Sequence, residues 1–300
     1  MIRAGEKGTI EEQLANTRRT GKAIVEVMKL GYEIVVTHGN GPQVGAALLR
    51  SERALDQVYG HTLDVCVSTT QGEIGYFLEQ ALQHEIAGAG FHHPVATLLT
   101  QVIVDPDDAA FRNPTKPIGP FYSRETAEEK KRLFGWEIVE DAARGYRRVV
   151  PSPEPIEVVE EETVRLLLES GVLVIALGGG GIPVVRANDG VRGVEAVIDK
   201  DRASALLAAR LGVDMFVIST DTDYVYIDYR KESQRKLERV TVGEVEAYLK
   251  QGQFPPGNMG PKIESAIHFL RSGGREVVIT SYQYLSAAMR GKAGTRIVPS

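Results

Sequence analysis

The chain has almost no cysteine: Cys66 stands alone among 300 residues. One cysteine excludes an internal disulfide and a cysteine-rich metal site, and its setting in Leu63-Asp64-Val65-Cys66-Val67 fits a small buried core residue. Long apolar runs are also missing. Nothing approaches the ~20 residues that cross a bilayer, and Met1 to Lys7 lacks the apolar centre of a secretory signal. The expectation is a cytoplasmic protein with no membrane contact. Positive charge is not in excess, with a formal net charge of −5 and no basic cluster, which argues against nucleic acid as a main partner. There is no G-x-x-x-x-G-K-[ST] loop, no G-x-G-x-x-G opening a helix, no H-E-x-x-H and no G-x-S-x-G. The usual nicotinamide, P-loop, zinc-protease and hydrolase signatures are thereby set aside. No internal repeat or low-complexity segment appears.

What the chain does have is a rhythm. Thr9-Ile10-Glu11-Glu12 carries capping-box spacing, predicting a helix from there to about Leu30 with Gly31 ending it. The β-branched run Tyr32 to Thr37 then predicts a strand that breaks into His38-Gly39-Asn40-Gly41-Pro42-Gln43. The pattern returns at Val172 to Leu177 before Gly178-Gly179-Gly180-Gly181, at Met215 to Ser219 before Thr220-Asp221-Thr222-Asp223, and at Val277 to Thr280. Helices at 203–211 and 263–270 precede the last two. Helices alternating with short continuous apolar strands predict an α/β fold, an open αβα sandwich with a mainly parallel central sheet. Ligands in such sheets bind at the carboxyl rim of the strands, where the unusual loops fall. Two stretches depart from the rhythm. Residues 105–148 are polar and proline-rich and predict a small projecting subdomain or lid. Asn188-Asp189-Gly190 predicts a hairpin turn between extended segments. The expected division is an amino-terminal lobe over 1–176, carrying the projection, and a carboxyl-terminal lobe over 177–300.

The chemistry-bearing residues are glycines and lysines at strand ends. Gly178 to Gly181 lack Cβ atoms, so their amides can approach phosphate oxygens closely, although a plain flexible loop would read the same way. Asp199-Lys200-Asp201, after an expected strand Ala196-Val197-Ile198, precedes a helix. Lys200 there can hold a phosphate with Asp201 orienting it, or the trio can be a solvated turn in which Asp201 caps the helix. In Gly257-Asn258-Met259-Gly260-Pro261-Lys262, Pro261 suits the first turn of a helix and places Lys262 near its amino end, where a cation opposes the macrodipole unless an anion sits there too. Asp221, Asp223 and Asp228 show no metal-loop spacing and suit a turn around a nucleoside equally well. Of the six histidines, only His38 sits in a candidate loop, and it can equally brace that loop.

In this order the segments resemble carbamate kinase, of the amino-acid kinase superfamily. The matching stretches are Arg3 to Thr9, Thr37 to Gly45, Asn113-Pro114-Thr115-Lys116-Pro117-Ile118-Gly119-Pro120-Phe121-Tyr122, Gly178 to Pro183, Ala196 to Asp201, and Gly260 to Glu264. The Pro-Thr-Lys-Pro-Ile-Gly-Pro-Phe insertion discriminates most, because other amino-acid kinases lack it. The resemblance implies reversible transfer between ATP and carbamate, giving ADP and carbamoyl phosphate, usually run toward ATP in arginine catabolism. It further implies Mg²⁺ arriving with the nucleotide and no dedicated protein metal site, and a homodimer. Residue by residue, it implies that Lys200 and Lys262 bind ATP phosphates, that Asp201 positions these lysines and the metal, and that Lys116 reaches carbamoyl phosphate from the projection. Gly39, Asn40 and Gly41 would border the carbamate pocket. Gly178, Gly179 and Gly180 would lie at the lobe junction on the nucleotide side, with Met259, Asp221 and Tyr224 beside the nucleotide. Another acyl-phosphate kinase of the superfamily and a nucleotide-binding protein without turnover are the alternatives. Family members carry a first strand and a Gly-Gly-Asn loop ahead of the Arg3 segment; the expectation is a natural start further upstream or an impaired enzyme.

Overall fold

The computed structural model describes residues 6–141, 145–255 and 259–300. The expected capping box is formed: Glu12 N–H donates to Thr9 Oγ1 at 3.3 Å and Thr9 N–H to Glu12 Oε2 at 3.0 Å. It opens α1 (Ile10–Met28), followed by β1 (Val35–Val36), α2 (Gly41–Arg53), α3 (Leu63–Gly88), β2 (Val95–Thr97) and β3 (Gln101–Ile103). The insertion holds α4 (Ala109–Arg112), β4 (Lys116–Tyr122), α5 (Arg124–Phe134), β5 (Glu137–Asp141) and β6 (Gly145–Val150). Then come β7 (Glu157–Val158), α6 (Glu161–Glu169), β8 (Leu173–Ile175), and the hairpin β9 (Ile182–Ala187) and β10 (Gly190–Gly193). The remainder is α7 (Lys200–Leu211), β11 (Met215–Thr220), β12 (Val225–Ile227), β13 (Arg235–Leu237), β14 (Arg239–Thr241), α8 (Val242–Lys250), α9 (Met259–Arg271), β15 (Glu276–Ser281), α10 (Leu285–Met289) and β16 (Thr295–Val298).

The α/β class stands, with parallel pairing at β1–β8, β2–β8, β3–β9, β11–β15 and β14–β16. Antiparallel pairs at β15–β16, β3–β7 and β9–β10 make the sheets mixed. Alternation in β8 shows why both faces are covered. Leu173 and Ile175 pack with Ile24, Ile74 and Leu78 of α1 and α3, while Val174 and Ala176 pack with Val164 of α6. A second core around Phe216 and Phe269 joins β11, α9 and β15. The half-sheet β1-β8-β2 and the half-sheet β11-β15-β16-β14 are separate ladders. Their edges β1 and β11 line one slot of about 1020 Å³.

Strands β4, β6 and β5 form a sheet of their own under α5, in the order β4-β6-β5. It docks on α2 where two glycines cross: a Cβ on Gly45 would fall 2.5 Å from Gly119 Cα. Lys130 Nζ sits 2.9 Å from Glu52 and 4.5 Å from the Trp136 ring centroid, tying α5 to the same helix. The Asn188-Asp189 turn closes the β9–β10 hairpin as predicted. Two expectations are corrected. Ala196 to Ile198 is no strand: its side chains are buried, but Val197 N–H meets only Pro151 O, at 3.0 Å, with no ladder beside it. The helix expected from Ala203 begins at Lys200, because Asp199 rather than Asp201 caps it, accepting from the Asp201 and Arg202 amides at 2.9 and 3.3 Å. Cys66 is fully buried, and burial, with Glu195 and Asp64 nearby, pushes its thiol up to about 11.

Candidate active site

Five segments distant in sequence meet at the carboxyl rim of β1 and β8. The first is Thr37 to Gly41. His38 is buried and its ring nitrogen lies 3.3 Å from Gly39 O. Burial pushes the imidazole down to about 4, with the Lys200 ammonium working in the same direction, so it stays neutral near neutrality. Asn40, also buried, donates from Nδ2 to Thr70 Oγ1 at 2.8 Å.

The second segment is the glycine run. Gly178 to Gly180 makes a single 3-10 turn, entered through Leu177 at φ 51° and left through Gly181 at φ 91°. Side chains are barred here on two counts. Gly179 adopts φ 68°, and a Cβ on it would lie 2.2 Å from Asn40 Nδ2; one on Gly178 would lie 2.6 Å from the His38 ring. The loop is therefore a packed element of the site, which removes the flexible-loop reading. Gln71 of α3 holds it by donating to Gly178 O at 2.9 Å and Thr100 O at 3.1 Å, while Thr100 N–H donates back to Gln71 Oε1 at 2.9 Å.

The other three segments bring the charges. Asp201, with 8% of its side chain exposed, bridges two lysines: Lys200 Nζ bonds Oδ1, and Lys262 Nζ bonds Oδ2 at 3.0 Å. Lys200 comes from the start of α7 and Lys262 from the first turn of α9. Lys116, carried by β4, donates to Asp199 Oδ2 at 2.7 Å. Burial alone would raise the Asp199 pKa, but the Lys116 ammonium and the two capped amides outweigh it, so the carboxyl sits below its ordinary value. A Cβ on Gly39 would lie 3.4 Å from the Lys200 chain, so the glycine gives that lysine its path. Three ammonium groups, two carboxylates and two glycine loops thus share one rim.

Lys116, Lys200, Asp201, Lys262, Gly39, Asn40 and Gly178 to Gly180 lie together at this rim, and Gly41 begins α2 beside them. Asp221 and Tyr224 lie in the loop after β11. Asp221 is exposed and accepts from Thr220 Oγ1 at 3.1 Å, and the Tyr224 ring sits 4.9 Å from Lys236 Nζ. Met259 packs against the carboxyl-terminal core. Among the described residues no side-chain hydrogen bond or ion pair links these three to the lysines. Residues 3–5 and 257–258 of the matching segments lie outside the described residues. Sequence reasoning missed Gln71, Thr70 and Thr100, which brace the loops, and Arg202, which pairs with both Glu154 and Glu264. No local motif marks them. Both Asp201 oxygens are engaged by ammonium groups, and no cluster of three or more metal-ligating side chains occurs among the described residues. With both Asp201 oxygens taken by ammonium groups, the donor set does not suit a resident Mg²⁺, although the resemblance implies that Asp201 positions the metal.

A rim of lysines and glycine amides, with no general base, is built to neutralise and align phosphoryl groups. The Amino acid kinase family model matches residues 8–281, and the chain belongs to that family. Its relatives include the carbamate kinases of Thermococcus kodakarensis, 49% identical over 99% of this chain and 96% of theirs, and of Pyrococcus horikoshii, 46% identical over 98% and 95%. The structure of carbamate kinase from Giardia lamblia bound to AMP-PNP superposes with a TM-score of 0.94 at 42% identity, over all of this chain and 95% of that one. Within the family the chain falls among the carbamate kinases and is a phosphotransferase.

Proposed function

We propose that the chain catalyses ATP + carbamate ⇌ ADP + carbamoyl phosphate, with Mg²⁺ entering on the nucleotide. The observation that carries this reading is the bridge Lys200–Asp201–Lys262 facing the Lys116–Asp199 pair across the glycine loops. Carbamate already bears an anionic oxygen, so transfer needs no base, in keeping with a neutral, buried His38. The work left to the protein is alignment and charge neutralisation. Asp201 holds Lys200 and Lys262 in place before the nucleotide phosphates arrive. Lys116 reaches the acyl phosphate from the other side, released from Asp199 as the anion takes its ammonium. Gly39, Asn40 and Gly41 border the carbamate, while Gly178 to Gly180 aim amides at the transferred group. The nucleoside is placed beside Asp221, Tyr224 and Met259. In this reading residues 1–176, with the projection, bind carbamate and 177–300 bind nucleotide; the active form is a cytoplasmic homodimer serving arginine catabolism toward ATP. The test is ADP-dependent ATP formation from carbamoyl phosphate, run against acetyl phosphate as competing donor. Preference for carbamoyl phosphate of at least tenfold supports it, and equal use of both donors points to a different acyl-phosphate kinase.

A further inference from the structure

Lys116 opens β4, and what fixes the angle of that strand lies at its other end. Gly119 stands midway between Lys116 and Tyr122, the two ends of the strand. There β4 crosses α2 backbone on backbone, since a Cβ on Gly45 would lie 2.8 Å from Gly119 N. A crossing of two glycines has no side chain to resist tilting. On the Lys116 side the contacts are apolar and non-directional, Ile118 and Val150 packing with Val44 and Leu48 of α2. On the Tyr122 side they are directional. Lys130 of α5 pairs with Glu52 of α2 at 2.9 Å, and its ammonium lies 4.5 Å from the Trp136 ring centroid and 5.4 Å from those of Tyr122 and Phe134. Glu52 follows Gly45 by two helical turns, so both stand on one face of α2 about 10 Å apart. That matches the stretch of β4 from Gly119 to Tyr122, also about 10 Å.

Glu52 is badly placed for its own helix. It sits in the last turn of α2, where a carboxylate opposes the macrodipole. Its side chain is only 12% exposed and that of Lys130 17%, and among the described residues Lys130 is its one partner. Charges so shielded are held by each other. The other ion pair from this sheet to the body, apart from Lys116 itself, is Arg148 to Glu195 at 3.7 Å, with Glu195 half exposed. When an anion draws Lys116 away from Asp199, the Glu52–Lys130 pair is therefore the firm directional tie that remains. With the glycine crossing as pivot and arms of about 10 Å on either side, a displacement at Tyr122 returns at Lys116 with the same size. A misplacement of about 1 Å can cost a hundredfold in rate. We propose that Glu52 and Lys130 form a positioning clamp that sets the tilt of β4 over α2 and thereby places Lys116 on the rim. Both act through Lys116, and the consequence for catalysis rests on the reading of that lysine given above.

The first readout needs no turnover. Lys116 Nζ is paired to Asp199 at 2.7 Å, so its rate of reductive methylation by formaldehyde, followed by peptide mass spectrometry on the intact chain, reports its placement. Glu52→Gln, and Lys130→Met, which keeps an apolar stem among the rings, should each raise that rate by about fivefold or more, with Lys262 within about twofold of the parent. Lys130→Arg should return it toward the parent value. In kinetics both variants should raise the apparent KM for carbamoyl phosphate by about fivefold or more with ADP affinity nearly unchanged, and neither should add to the effect of Lys116→Ala. Unchanged methylation of Lys116, an equal rise at Lys262, full additivity with Lys116→Ala, or loss of cooperative melting in both variants would each overturn the clamp. Selective methylation of Lys116 with no change in the KM for carbamoyl phosphate would uphold the clamp and overturn instead the assignment of Lys116 to that substrate.

Discussion

Replacing Asp201 by Asn keeps the side-chain shape and removes the charge that two lysines share. Lys262 Nζ is 3.0 Å away and little exposed, whereas Lys200 has 35% of its side chain in contact with solvent. Removing one partner of a buried ion pair costs about 3–5 kcal/mol. Solvent around Lys200 screens its share, so the net loss expected for Asp201→Asn is about 2–4 kcal/mol. For a chain of this size that lowers the melting temperature by roughly 3–6 °C. The same substitution frees two ammonium groups that polyphosphate can occupy, so saturating ADP should raise the melting temperature more in the variant than in the parent, narrowing the gap. Turnover should nonetheless fall by about 10²-fold, because the lysines are no longer held in register with the transferring group. Scanning calorimetry with and without ADP, alongside ATP formation, measures all three. A variant that melts with the parent, gains no extra shift from ADP and turns over normally would refute the bridging role of Asp201.

Lys116→Ala should raise the apparent KM for carbamoyl phosphate by at least tenfold and leave ADP affinity nearly unchanged, because β4 carries that lysine from the projection alone; equal weakening of both ligands in steady-state kinetics and calorimetry would contradict the assignment. Gly179→Ala combines a positive φ of 68° with a contact 2.2 Å from Asn40, so it should lower activity by more than tenfold and stability by about 2 kcal/mol in urea titrations. His38 has a folded-state pKa of about 4, below the ordinary 6.5, so the unfolded chain binds its proton first as pH falls. Stability contributed by keeping it neutral is complete above about pH 6.5 and lost as pH drops toward 4, amounting to about 2 kcal/mol between roughly pH 7 and pH 5. His38→Gln should flatten that part of the urea-midpoint profile, and an unchanged slope would assign it to other groups.

The features legible in the sequence are those whose cause is local. Thr9 and Glu12 are three residues apart, and Asn188-Asp189 dictates its hairpin without help from the rest of the chain. Lys200 and Lys262 stand out because lysines at helix starts oppose the macrodipole, but their phosphate roles, and that of Asp201, follow only from the resemblance. The partnerships were not legible. Lys116 meets Asp199 across 83 positions, and Gln71 reaches Gly178 across 107. Gln13 and Gln43 bond at 2.7 Å inside the molecule, a contact with no sequence signature. The capping role moved from Asp201 to Asp199 because Asp201 is claimed by two lysines, which only the tertiary fold brings together. Ala196 to Ile198 reads as a strand because burial alone makes it apolar, and periodicity cannot tell a buried connection from a paired strand.

Carbamoyl phosphate conversion can be followed directly by ³¹P NMR of the intact chain with ADP, Mg²⁺ and carbamoyl phosphate. The carbamoyl phosphate signal should give way to the γ-phosphate of ATP, and Lys116→Ala should slow this at low carbamoyl phosphate. ADP binding without any ATP formed would contradict the proposed reaction.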